Sequence, residues 1–138
     1  GNHEKYDDMS TWRVDRIAHI TVLSERRKPL REIKGYNQQR TFNVSQYVKE
    51  HIYMFGGESV TVSFKAKRSI VNQILDWFDG NVEFTNVTSD DVVCRVRVNH
   101  DAFKYWALQY MQSVKVLSPA SLVAEVKEAI KEGLEQYS

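Results

Sequence analysis

One cysteine in 138 residues, Cys94, excludes an internal disulfide framework and fits a reducing compartment, so the cytoplasm is the expected location. No stretch approaches the roughly 20 consecutive apolar residues that cross a bilayer, so no membrane partner is expected. The opening GNHEKYDDMS is polar and lacks the apolar centre of a secretory leader. It also lacks an initiator Met, and the expectation is a segment of a longer protein. Net charge is nearly absent at +1, which gives no global pull toward an acidic or basic partner.

That balance hides an asymmetry. Residues 13–40 hold eight Arg and Lys against three acids, whereas the stretch from 119 onward holds Lys127 and Lys131 against Glu125, Glu128, Glu132 and Glu135. The basic side could meet an acidic partner or be a solvated linker. Apolar residues make up 42% and aromatics 12%, enough for the core of about one domain.

The segment MSTWRVDRIAHITVLSE, residues 9–25, alternates and then runs apolar, and reads as two strands over about 10–23. Residues 24–41 break all periodicity with charge, Pro29, Gly35 and amides, and read as a linker. Asn43 can cap a helix whose Val44, Tyr47, Val48 and His51 fall at helical spacing, with Gly56 and Gly57 ending it. From Ser59 the pattern sharpens. Val60, Val62, Phe64 and Ala66 alternate with Thr61, Ser63 and Lys65, the mark of a strand with one buried side.

A helix follows with Val71, Ile74, Leu75 and Phe78 as its stripe and Gly80 at its close. Two strands come next, NVEFTNV and VVCRVRV, the second placing Val92, Cys94, Val96 and Val98 inward and Val93, Arg95 and Arg97 outward. Another helix carries Phe103, Trp106, Ala107 and Tyr110. A fourth strand, VKVL, leads to a last helix with Ser118 as its cap and Pro119 at its first position. The order from residue 59 is βαββαβ, then a helix. The expected class is α+β, a ferredoxin-like core with an additional N-terminal strand pair and helix and a C-terminal helix.

At this point the chain resembles the C-terminal portion of a WYL-domain transcriptional regulator. Tyr6, Asp7, Asp8, Arg13, Asp15, Arg16 and Ile17 are similar to the stretch that closes the WYL barrel, a small Sm-like or SH3-like fold. Met54, Phe55, Gly56, Gly57 and Glu58 are similar to the start of the WCX extension that follows it. The resemblance implies three parts: trailing barrel strands over 1–23, a linker over 24–41 and a WCX extension over 42–138. It implies a helix-turn-helix domain elsewhere in the protein that contacts DNA, a homodimer, and a nucleic-acid or nucleotide effector. The chain carries neither the helix-turn-helix nor the Trp-Tyr-Leu tripeptide that names the barrel.

Arg13 and Arg16 are the effector-binding candidates by that resemblance. Being an odd number apart, they would lie on opposite faces of a flat strand. The competing reading is that they pair with Asp15 to pin an edge. Arg95 and Arg97 share the open sheet face with Lys65. The aromatics that stack bases in RNA-binding sheets are missing there, so a solvated face, or an interface using Val93, is favoured. Gly56 and Gly57 lack a phosphate-loop frame and are read as a turn and candidate hinge. His3, His19, His51 and His100 show no metal-ligand spacing, and Cys94 reads as a small core residue. No nucleophile has an evident base and no catalytic residues are nominated, so no enzyme, metal or cofactor is expected. The expected role is dimerisation and transmission of an effector signal. The alternative is a small-ligand or nucleotide sensor at a sheet or dimer seam.

Overall fold

The computed structural model describes residues 10–32 and 43–138. Its centre is a four-stranded antiparallel sheet of β1 (Ser59–Lys67), β2 (Val82–Val87), β3 (Asp91–Asn99) and β4 (Val114–Ser118), in the spatial order β2-β3-β1-β4. Helix α2 (Val71–Phe78) joins β1 to β2 and α3 (His100–Gln109) joins β3 to β4. Each strand–helix–strand crossover skips one strand, and the other crossover fills the gap. This is the interleaving of a split βαβ unit, and the fold is α+β.

Alternation sets the register. Val62 lies opposite Val96, and Phe64 opposite Cys94 on one side and Val116 on the other. All of these face the helices and are buried. A one-residue slip would turn every one of them to water, so the buried face specifies the pairing. Over that face sit Phe78 of α2 and Phe103 and Trp106 of α3, around Phe64. The Phe64 ring lies 5.2 Å from Phe103 and 5.4 Å edge-on from Trp106, and Phe78 meets Trp106 edge-on at 4.8 Å. Offset and edge-on geometries suit the ring quadrupole and add to the roughly 1.5–3 kcal/mol from burying each ring.

The helix ends are set locally. Asp79 and Gly80 take positive φ after α2, with the Asp79 N–H donating to the Leu75 carbonyl at 2.8 Å. The α2 stripe is narrower than expected: Ile74 and Phe78 are buried but Leu75 is exposed. A two-turn helix on a twisted sheet covers only its central line. Helix α4 (Ala120–Glu135) follows β4 and buries Leu122. Ser118 does not cap it. Ser118 is the last residue of β4, and Pro119 precedes the helix with no capping side chain.

Helix α1 (Val44–Glu50) is capped as expected, the Asn43 side chain accepting from the Gln46 N–H at 3.0 Å. Its stripe is not buried, since Val44 and Val48 are exposed, and His51 lies just beyond its end.

The strand pair expected over 10–23 does not form. Residues 14–16 make one turn of 3-10 helix, and no strand lies between 10 and 23. Val14, Ile20 and Val22 are exposed. A strand exists only through its ladder, and this segment meets no sheet edge. Residues 1–9 and 33–42 lie outside the described residues. With them go Tyr6, Asp7 and Asp8 of the barrel motif, His3 and the second half of the expected linker.

Candidate functional site

The face of the sheet away from α2 and α3 is open. On β3, Arg95 and Arg97 point outward, and Val93 is half-buried between them and Asp91. Lys65 and Lys67 of β1 and Lys115 of β4 are exposed beside them. Lys65 lies directly opposite Lys115 in the β1–β4 pairing, an unfavourable like-charge neighbour. Three carboxylates temper this surface. Asp91 reaches Lys65 at 2.6 Å, Glu50 of α1 reaches the Arg97 guanidinium at 3.5 Å, and Glu83 stands opposite Arg95. The result is a basic, hydroxyl-dotted surface, with Thr61 and Ser63 opposite Arg97 and Arg95. It carries no aromatic side chain on β3.

The second feature is the junction that delivers the chain into β1. Gly57 has φ +105°, a conformation that disfavours any side chain. Gly56 serves differently: its carbonyl accepts from the Asn99 carboxamide at 3.0 Å. Among the described residues Asn99 is the one buried polar residue. Its Nδ2 also reaches the Glu58 carbonyl at 3.4 Å, and its Oδ1 accepts from the Ala102 N–H at 3.0 Å, capping α3. Asn99 was not among the nominated residues, although Asn immediately before a helical stripe is an N-cap signal.

Around this turn the backbone is strained. Tyr53 and Met54 both take left-handed conformations, φ 59° and 62°, rare for residues with a Cβ. Contacts on both sides hold them. The Tyr53 ring lies 4.7 Å from Trp77 of α2, and its hydroxyl donates to Gln109 of α3 at 2.6 Å. Burial, and secondarily Tyr110, pushes the Tyr53 phenol above its ordinary value. Trp77 in turn donates to the Tyr110 hydroxyl at 3.3 Å, and Phe55 stacks on Tyr105 at 5.3 Å. His51 places one ring nitrogen 2.8 Å from the Tyr47 carbonyl and the other 3.2 Å from the Gly57 carbonyl. A neutral imidazole donates from only one nitrogen, so both contacts are hydrogen bonds only in the imidazolium.

The remaining nominated residues lie elsewhere. Arg13 and Arg16 flank the 3-10 turn, with the Arg16 N–H donating to the Arg13 carbonyl at 3.2 Å. Arg13 is the extended residue before the turn and Arg16 its last residue, so the two do not sit on one flat strand. The Arg13 guanidinium grips Asp15 with two hydrogen bonds, one of 3.0 Å, and holds that carboxyl below its ordinary range. Both groups are exposed. Among the described residues no three His, Cys, Asp or Glu converge as metal ligands, and no helix is long and apolar enough to cross a membrane.

A sheet with one covered and one open face, fed through a pinned turn, defines a small α+β domain organised around surfaces. The sequence places it in a family. Residues 56–134 match the model of the WCX domain, and the chain belongs to that family. The matched stretch begins at Gly56, the glycine bound by Asn99. No curated protein matches the chain.

Proposed function

We propose that this chain is a regulatory, non-catalytic module of a helix-turn-helix transcriptional regulator of the WYL type. Its tasks are to hold two copies together and to pass an effector signal to a DNA-binding domain outside this sequence. The observation that carries the reading is the WCX match over 56–134, a domain of regulator-type families. The pinned junction at Gly56–Glu58 supports it, because the segment before β1 is tied to the sheet and to α3 through Asn99, Tyr53 and Glu50. Signal transmission needs two states of different effector affinity, and strained, over-determined backbone at such a junction suits one of two arrangements.

Light scattering behind a sizing column, over a concentration series, tests the assembly half. A dimer at micromolar concentration is expected, and a monomer at every concentration overturns it.

A second reading is favoured by the cations of the open face, Lys65, Lys67, Arg95, Arg97 and Lys115. The domain would then sense a small anionic ligand such as a nucleotide there. A thermal-shift screen with nucleotides and amino acids produces a hit under this reading and none under a purely structural role for the face.

A further inference from the structure

We propose that the β4–α4 edge is a self-complementary docking surface for a second copy of this chain, each copy's last α4 turns filling the other's groove. The inference rests on the dimeric reading above and assigns it a surface. Between β4 and α4 runs a groove of about 230 Å³ walled by Val114, Val116, Val123 and Val126, with Lys115 and Lys127 at its rim.

Helix α4 is longer than the strand it covers. Its 16 residues span about 24 Å at 1.5 Å each, against about 17 Å for the five residues of β4. Its apolar stripe continues past the groove to Leu134 and Tyr137, 68% and 92% exposed. Val123, Val126, Ile130, Leu134 and Tyr137 step by three and four, one line along the chain. The first three line the groove, and Leu134 and Tyr137 stand exposed beyond it.

The charges divide the same way. Glu125 lies within 3.4 Å of both Lys104 and His100 of α3, which leaves Lys115 and Lys127 as the positive rim of the groove. The overhanging turn carries Glu132 and Glu135 against Lys131, a net −1. A two-fold axis between antiparallel α4 helices lays the negative, apolar end of one copy on the positive, apolar groove of the other. The same patch serves both copies, as an isologous contact requires.

The test is light scattering over a concentration series on the whole chain and four variants: Leu134→Glu, Lys127→Glu, Glu132→Lys, and Lys127→Glu with Glu132→Lys. All three side chains are exposed, and circular dichroism checks that each variant folds. The expected result is a dimer whose dissociation constant rises about tenfold or more in each single variant and returns to within about threefold of the parent in the double swap. A parent dimer unmoved by the single changes overturns this surface and leaves the dimeric reading standing on another. A double swap as weak as its parents overturns the antiparallel arrangement. A parent that is monomeric throughout overturns both. If the groove instead takes a foreign peptide or amphiphile, the scattering shows monomers and the proposal falls with it.

Discussion

Asn99 and Gly56 stand 43 positions apart in the sequence and are joined by a 3.0 Å hydrogen bond at the edge of the core. The same Asn99 side chain caps α3 from its oxygen. One residue therefore fixes both the start of a core helix and the turn that leads into the first strand.

Replacing Asn99 by Ala removes the cap and the hydrogen bond to the Gly56 carbonyl, while the Glu58 carbonyl keeps the His100 N–H at 3.3 Å. A cap is worth about 1 kcal/mol and a hydrogen bond about 0.5–1.5 kcal/mol, so Asn99→Ala should cost about 2 kcal/mol in urea denaturation. Asn99→Asp keeps the cap acceptor but sets a carboxylate against the carbonyls of Gly56 and Glu58. It should be at least as damaging. A variant as stable as the parent would mean the junction is held by Tyr53 and Phe55 alone.

Met54 is half exposed and left-handed. Glycine relieves that strain and gives up little packing. Met54→Gly should stabilise the chain by about 0.5–1 kcal/mol, the relief being partly offset by the freer unfolded chain. Destabilisation instead would show that the Met54 side chain, not the backbone, is the reason for its conformation.

Burial pushes the Cys94 thiol up to about 11, above the unfolded value near 9. With the folded value raised, the stability from keeping the thiol protonated is fully present below about pH 9 and is lost as pH rises through about 11. The loss amounts to about 2–3 kcal/mol above that range. Cys94→Ala should flatten this alkaline limb. A thiol reagent at neutral pH should label the native chain no faster than it unfolds.

Arg97 is more than half exposed and pairs at 3.5 Å with Glu50, whose side chain is 13% exposed, and Arg95 faces Glu83 without closing to contact range. With each arginine in reach of water, such pairs contribute about 1 kcal/mol. Arg95→Ala with Arg97→Ala should therefore leave the melting temperature within a few degrees of the parent. It should also abolish any thermal shift produced by an anionic ligand, and a shift that survives would move the ligand off this face.

Elements with their own signal were legible in the chain. Strict alternation from Val60 to Ala66 and from Val92 to Val98 fixed which side of each strand is dry, because a buried face tolerates no slip. The aromatic stripe Phe103, Trp106, Ala107 and Tyr110 likewise named the face of α3 that meets the sheet. The family motif around Gly56 marked the place where the matched domain begins. Alternation over residues 10–23 looked just as strand-like and came to nothing, since pairing is a property of the neighbour and not of the segment.

Local pattern by itself therefore determined the order of elements, their inner faces and the class of fold. Only the tertiary structure decided that Asn99 joins the junction to α3, that Val14–Arg16 form a turn and not a strand, and that α4 overruns β4. Those three facts depend on distances between parts of the chain that no short window of sequence contains. The reason is physical: burial is read from composition and period, whereas a hydrogen bond across 43 positions or an uncovered helix end exists only once the pieces are placed together.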